Sequence, residues 1–274
     1  MSKGSAPIGV FDSGVGGLTV LRALRSRLPA EDFVYLGDTA RLPYGTKSPQ
    51  TVRAYARQAA KRLVDAGVEL LVIACNTASA VALDDLREAF APLPVLGVVE
   101  PGADAAVQAT RKGRVLVTGT DGTIAGGAYP RALRALSPDL EIWGQACPLF
   151  VALAEEGWVD GPVAEAVVRR YLDPWLRDPA ESRPDVVVLG CTHFPALRPV
   201  IEGVLGPEVR VVDSASPTAE AVAAALGPTR GAAREEAAGT CRFWATDAPE
   251  RFARVAPTFL GEALTPDQVE LVDL

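Results

Sequence analysis

Short apolar runs alternate with longer amphipathic segments along most of this chain. Residues 7–11 form a short apolar run, and the segment from Gly16 to Leu28 that follows it carries leucines at helical spacing. Ser48 and Pro49 supply an N-cap and a first-turn proline for a further helix. Strands that alternate with helices in this way predict an α/β fold with mainly parallel, doubly wound sheets.

The same alternation predicts the positions of the elements and a division into two domains. Strands are predicted at residues 7–11, 32–37, 70–74, 94–98, 114–119, 139–146, 185–190, 208–212 and 241–245. Helices are predicted at residues 16–28, 49–66, 77–90, 102–111, 123–136, within 149–177, and at 194–205, 215–226 and 248–260. One domain is predicted from residues 1–98 and 212–274, and the other from residues 99–211. The strand at 208–212 is expected to return the chain to the first domain, and residues 227–239 are interpreted as a surface loop.

Composition limits the class of protein. The chain has 274 residues, of which 49% are hydrophobic and 22% are charged, so it can bury a large core. Its apolar runs are shorter than the roughly 20 residues of a membrane span, and its first residues lack the apolar region of a signal peptide. We therefore expect a soluble, cytoplasmic protein without a membrane partner. The net charge of −7 argues against nucleic acid as the main partner.

Two of the four cysteines share one local setting. Cys75 and Cys191 each end an apolar run and are followed by small polar or ionisable residues, with a helical segment after them. A residue at the carboxyl end of a parallel strand faces the crevice where such folds bind ligands, and a following helix N-terminus favours a thiolate. His193, the only histidine of the chain, lies two residues after Cys191. Free cysteines are also common as small core residues, but two in matching settings favour a reactive pair that faces one substrate.

The remaining candidates give weaker signals. Asp12 and Ser13 begin a glycine-rich turn after the first strand, which could be a simple tight turn, a phosphate cradle, or a carboxylate and a hydroxyl at the strand tip. The glycine spacing does not match a dinucleotide fingerprint. Cys147 has no polar follower and Cys241 opens a late strand, and we interpret both as structural. No cysteine or histidine spacing fits a structural zinc site.

Several motifs along almost the whole chain resemble those of the glutamate racemases, in the aspartate/glutamate racemase family. The motifs are residues 11–20 (FDSGVGGLTV), 43–45 (PYG), 74–79 (ACNTAS), 119–120 (GT), 147–151 (CPLFV), 190–195 (GCTHFP) and 247–252 (DAPERF). Because they are independent of one another and occur in the family's order, the resemblance is specific.

The resemblance implies an enzyme that interconverts L- and D-glutamate without a cofactor or metal and supplies D-glutamate for peptidoglycan synthesis. It implies two pseudosymmetric α/β domains with the active site in the cleft between them. Cys75 would exchange the α-proton of the D-isomer with assistance from Asp12, and Cys191 that of the L-isomer with assistance from Glu155 and His193. The implied substrate contacts are Asp12, Ser13, Tyr44, Gly45, Asn76, Thr77, Thr120, Thr192 and His193.

Other functions remain open at this stage. A racemase of the same superfamily that acts on aspartate or hydantoins is the nearest alternative. A thiol hydrolase that pairs one cysteine with His193 leaves the second cysteine unexplained. A non-catalytic α/β protein that binds a small molecule would need no reactive thiol. The partner expected in every case is a small molecule, and the oligomeric state stays open, with a homodimer among the arrangements considered.

Overall fold

The computed structural model describes residues 6–177, 179, 182–227 and 238–274. In these ranges the strands are β1 (Ile8–Asp12), β2 (Phe33–Gly37), β3 (Leu70–Ile73), β4 (Val95–Gly97), β5 (Arg114–Gly119), β6 (Glu141–Ala146), β7 (Val186–Gly190), β8 (Arg210–Asp213), β9 (Cys241–Ala245) and β10 (Val269–Leu271). The helices are α1 (Leu18–Arg27), α2 (Pro49–Asp65), α3 (Asn76–Ala89), α4 (Val99–Ala109), α5 (Asp121–Gly126), α6 (Ala128–Leu136), α7 (Leu149–Glu155), α8 (Gly161–Leu172), α9 (Arg198–Leu205), α10 (Ala215–Leu226) and α11 (Pro249–Leu260).

The described strands form two parallel sheets. The first sheet has the order β10-β9-β2-β1-β3-β4, and the second has the order β6-β5-β7-β8. The order β2-β1-β3-β4 within the first sheet is therefore repeated by β6-β5-β7-β8 in the second. This repeat makes β1 equivalent to β5, and β3 equivalent to β7. The predicted α/β class, with two pseudosymmetric parallel sheets, is confirmed.

Burial on both faces of the sheet explains why the sequences of the central strands are continuous apolar runs. Every residue of β1, β3 and β7 is buried, as expected for parallel strands that are covered by helices on both faces. In the first sheet, side chains of alternating direction on β1 enter two separate cores, with Val10 in one and Phe11 in the other. The second sheet likewise separates two cores, with Val187 and Val188 on opposite faces.

The structure corrects several predicted boundaries. The strand predicted at 208–212 pairs with β7 in the second sheet, so the chain returns to the first sheet only after Asp213. The helix predicted at 123–136 is interrupted at Gly127, whose φ of +62° ends α5 and precedes α6. The segment 149–177 holds two α-helices and a 3-10 helix. The sequence did not predict β10, because Val269–Leu271 is only three residues long.

Two predictions are not resolved by these observations. Most of the surface loop expected at 227–239 lies outside the described residues. The domain limits stay a prediction, although the division of the strands between two sheets fits a two-domain chain. In the described part of the chain, no helix combines the length and the apolar character needed to span a membrane.

Candidate active site

Most of the predicted site residues lie at or just after the carboxyl ends of β1, β3, β5 and β7, which form two equivalent pairs of strands. Asp12 is the last residue of β1, and Thr120 follows β5. Cys75 and Cys191 follow β3 and β7, at equivalent points of the two sheets. In each sheet the chain runs from the central strand to a neighbour on either side, and ligands bind at such switch points in α/β proteins.

Cys75 caps the helix that follows it. Its backbone is extended while Asn76 begins α3, and the amide of Ala78 donates to its sulfur at 3.4 Å. The Cys75 thiol donates to the Ser13 hydroxyl, also at 3.4 Å. Burial is the main reason why the pKa of Cys75 is raised to about 12, and the nearby Asp12 carboxyl adds to the effect. At neutral pH this sulfur therefore carries its proton.

Asp12 is fully buried below the first glycine-rich turn. One carboxyl oxygen, Oδ2, accepts from the amide of Gly14 at 3.0 Å, while Oδ1 has no hydrogen-bond partner among the residues described. Burial raises the pKa of this carboxyl against the opposing effects of His193 and of backbone amides in the turn. A buried carboxyl oxygen without a partner is uncommon, and it marks Asp12 as a residue whose burial calls for an explanation beyond packing.

Cys191 begins a hydrogen-bonded relay that reaches the protein surface. Its sulfur lies 3.8 Å from Nδ1 of His193, and Nε2 of His193 lies 3.1 Å from Oε1 of Glu155. The other oxygen of Glu155 accepts from Arg251 at 2.8 Å. Cys191 and His193 are each only 6% exposed, whereas Arg251 is at the surface. The relay joins α7 to α11, so Glu155 is held from both sides.

The relay favours a protonated His193. Burial by itself lowers the pKa of this imidazole, but the hydrogen bonds and charges of Cys191 and Glu155 outweigh it and raise the pKa to about 10. For Glu155, burial opposes ionisation, yet His193 and Arg251 together lower its pKa. An imidazolium donates from both ring nitrogens, which suits one neighbour that is a sulfur and another that is a carboxylate.

We predict that this relay makes stability depend on pH. The pKa of His193 is about 10 in the folded protein against an ordinary 6.5, so its contribution is fully present below about pH 6.5 and is lost as pH rises towards 10. The difference in free energy of unfolding between the wild type and His193→Asn should therefore shrink between pH 6.5 and 10. Urea unfolding of the two proteins at several pH values measures this difference. A difference that stays constant would show that His193 is not held as a cation.

The structure brings the two cysteine motifs to one place. The glycine-rich turn after β1 packs closely against the segment after β7. Gly16 has no Cβ atom, and a Cβ added there would lie 2.5 Å from the Thr192 hydroxyl and would overlap the His193 ring. Thr19 also donates to the backbone carbonyl of Thr192 at 3.1 Å. On the other side, the hydroxyl of Thr77 lies 2.9 Å from that of Thr120. Residues after all four strands therefore contact one another where the two sheets meet.

Tyr44 is placed differently from what its predicted role as a substrate contact suggests. Its side chain is buried and its hydroxyl donates to the carboxylate of Asp38. Asp38 is itself fully buried and also accepts from Arg41 at 2.7 Å and from Thr246 at 2.9 Å. The hydroxyl of Tyr44 therefore anchors the loop, and the backbone at Gly45 is the part that lies against Thr120 of the second sheet.

Sequence reasoning missed three polar residues of this region. Asp38 and Arg251 are ordinary charged residues in the sequence, and Tyr129 lies in a helical segment. Only the contacts just described for Asp38 and Arg251, and the hydrogen bond from Tyr129 to Asn76, reveal them. Glu155 was found through the family resemblance alone, because two adjacent glutamates after an apolar turn are otherwise typical of a solvated helix face.

The other two cysteines lie apart from these contacts. Cys147 is fully buried in the core of the second sheet, and burial raises its pKa far above the usual range. Cys241 begins β9, where burial raises its pKa to about 12. Within the described ranges, no group of three or more His, Cys, Asp or Glu side chains is arranged to hold a metal ion.

The chain is similar to proteins of known family and structure along nearly its whole length. Residues 8–222 match the Asp/Glu/Hydantoin racemase family. A glutamate racemase from Geobacter metallireducens is 50% identical over 257 residues, which are 94% of this chain and 93% of that protein. The structure of a glutamate racemase from Thermus thermophilus in complex with β-chloro-D-alanine is 47% identical, with a TM-score of 0.86 and 99% of each chain covered. That of a Francisella tularensis glutamate racemase in complex with D-glutamate is 35% identical, with a TM-score of 0.88 and 98% coverage of each chain.

The fold and these relatives define an isomerase of the amino-acid racemase class. The chain belongs to the Asp/Glu/hydantoin racemase family, and the relatives that match it over nearly its full length are glutamate racemases.

Proposed function

We propose that the protein interconverts L- and D-glutamate by proton transfer between Cα and two thiols, those of Cys75 and Cys191. The observation that carries this proposal is the pair itself: the cysteines follow equivalent strands of two equivalent sheets, and both are buried next to acid or base partners. Inversion at a carbon atom requires a base on one face and an acid on the other. Two thiols from opposite sheets meet that requirement with the same chemical group.

Each thiol has its own partners, and they differ. On the Cys191 side, the His193 imidazolium places positive charge next to the sulfur. This charge stabilises the thiolate that then takes the α-proton of the L-isomer and becomes the thiol. On the opposite face, Cys75 holds its proton at neutral pH and delivers it to Cα. This transfer leaves Cys191 as the thiol and Cys75 as the thiolate, which is the state required for the reverse reaction.

The α-proton of an amino acid is weakly acidic, so negative charge on the substrate carboxylate has to be stabilised during the transfer. Hydrogen-bond donors fixed in a dry site perform this task without reorganisation. The hydroxyls of Ser13, Thr77, Thr120 and Thr192 and the Asn76 amide surround the space between the sheets. These groups are proposed as the substrate contacts, together with Asp12, His193 and the loop at Tyr44 and Gly45.

The product proposed for the cell is D-glutamate for peptidoglycan synthesis. The relatives of known structure include one bound to D-glutamate, and this ligand is proposed for the present chain as well. No cofactor is expected, since two thiols already supply both proton-transfer groups.

The assisting residues should affect the two directions differently. We expect Asp12→Asn to lower kcat more for the D-isomer, and His193→Asn to lower it more for the L-isomer, because each residue contacts one side of the site. The ratio of kcat/KM in the two directions should stay at one, since the enantiomers are equal in free energy. Progress curves from each isomer measure both values. Unchanged kcat in both directions for Asp12→Asn would remove Asp12 from the mechanism.

One experiment tests the proposed function directly. Purified protein, dialysed exhaustively against a chelator, is mixed with L-glutamate or D-glutamate and followed by circular dichroism, with no cofactor added. The signal is expected to decay to zero from either isomer. A reaction that requires pyridoxal phosphate or a metal ion, or no reaction at all with a folded protein, would overturn the proposal.

A further inference from the structure

Tyr129 connects the two sheets through a buried hydrogen bond. This residue lies near the start of α6, after β5, and it is 1% exposed. Its hydroxyl lies 2.7 Å from Oδ1 of Asn76, the first residue of α3 and the immediate neighbour of Cys75. No predicted site role involves Tyr129, yet it touches the residue next to a proposed proton-transfer group.

The nitrogen of the Asn76 side-chain amide has no hydrogen-bond partner among the described residues. Within the described part of the chain, Nδ2 of Asn76 is buried and makes no hydrogen bond. A buried amide group normally makes at least one hydrogen bond on each side, and an exception calls for an explanation. A ligand that accepts a hydrogen bond next to Cys75 would supply the missing partner.

Further contacts fix the position of the Tyr129 hydroxyl. The Ser214 side chain lies close to it, at the point where the chain passes from β8 to α10. A Cβ at Gly102 of α4 would come within 3.0 Å of the Tyr129 oxygen and 3.1 Å of Ser214. Packed against α4 in this way, the hydroxyl has little freedom. Because the Tyr129 hydroxyl donates to Oδ1 of Asn76, Nδ2 of the same amide faces away from Tyr129.

We propose that Tyr129 is a positioning residue that holds the Asn76 carboxamide so that Nδ2 donates to the α-carboxylate of the bound amino acid. This inference rests on the proposed function. The α-carboxylate is the expected acceptor because it is bonded to Cα, the atom that Cys75 must reach, whereas the side-chain carboxylate of glutamate lies further along the substrate. Negative charge grows on the α-carboxylate as the proton leaves, so the hydrogen bond strengthens in the transition state.

The position of Tyr129 predicts a kinetic signature that distinguishes it from Asp12 and His193. A donor to the α-carboxylate serves both directions equally, so Tyr129→Phe should lower kcat by the same factor, about tenfold to a hundredfold, from either isomer. This range lies below the roughly hundredfold to thousandfold loss typical when such a donor is removed outright, because Asn76 is still present. KM should change little. The isotope effect with 2-deuterated glutamate should increase, since the proton transfer becomes slower.

The test is a double-mutant cycle of Tyr129→Phe with Asn76→Ala, measured on both isomers. Tyr129→Phe should add little to the loss caused by Asn76→Ala, because the tyrosine acts through that amide. Tyr171→Phe is the matched control: it removes a phenol hydroxyl from a ring that packs edge-on against Phe150, and it should keep wild-type kcat. Fully additive losses, or wild-type kcat in Tyr129→Phe, would overturn the inference.

A second variant covers the case in which Tyr129→Phe does not fold. Asn76→Asp keeps an oxygen for Tyr129 but has no donor for the substrate, so it should lose at least as much kcat as Asn76→Ala. Wild-type kcat in Asn76→Asp would also overturn the inference. Every comparison begins with the wild type: if the wild type does not racemise glutamate, the proposed function itself fails, whereas an active wild type with an unaffected Tyr129→Phe refutes only the role of Tyr129.

Discussion

Replacement of either Cys75 or Cys191 by serine is expected to lower kcat for glutamate racemisation by about a thousandfold or more in both directions. A serine hydroxyl is a far weaker acid and base than a thiol at neutral pH, and general acid–base catalysis typically contributes a hundredfold to ten-thousandfold. Both sites are tightly enclosed, at 5% and 6% exposure, so solvent water cannot easily replace the missing group. Circular dichroism with L-glutamate and D-glutamate measures the loss.

The chain offers controls for this experiment. Cys241→Ser changes a thiol at the start of β9, away from the site contacts, and should keep most of the activity. Cys147→Ser should also keep it, provided that the core of the second sheet tolerates the hydroxyl. Each active-site variant should still eliminate a leaving group from a β-substituted glutamate analogue, because elimination requires one base. Full racemase activity in Cys191→Ser would refute the two-thiol mechanism.

The second large effect concerns the choice of substrate. We expect kcat/KM for glutamate to exceed that for aspartate by more than about a hundredfold. Packing around one methylene group provides about 1–3 kcal/mol, on the order of a hundredfold at its upper end, so a stronger preference requires polar groups positioned for the longer carboxylate. The loop that carries Gly45 is suited to this, because Asp38 anchors it through Tyr44, Arg41 and Thr246.

The preference can be traced to that loop by one variant. Tyr44→Phe removes the hydroxyl that donates to Asp38 but leaves the ring in its core, and it should raise KM for glutamate while the weak turnover of aspartate changes less. Tyr171→Phe again serves as the control for loss of a hydroxyl. Comparable turnover of L-aspartate by the wild type would show that the pocket is not built for the longer side chain, and would move the chain to the neighbouring racemases of the family.

The alternation of strands and helices could be predicted from the sequence because it depends on local periodicity. An apolar run of five residues is buried on both faces of a parallel sheet wherever that sheet lies, so β1, β3 and β7 were found with their approximate limits. The pairing of β8 with β7 could not be found in the same way. Strand partners are chosen by contacts between distant segments, which periodicity does not record.

In the candidate site too, some features follow from the sequence and others from the tertiary structure alone. Cys75 and Cys191 each follow an apolar run that predicts a strand. The sequence alone therefore determined that both would lie at the carboxyl edge of a sheet. The hydrogen bonds of Glu155 to His193, Tyr44 to Asp38 and Tyr129 to Asn76 join residues from different elements. Only the tertiary structure decided these contacts. It also decided the raised pKa values of Cys75 and His193, because burial and neighbouring charge exist only after the two sheets have packed together.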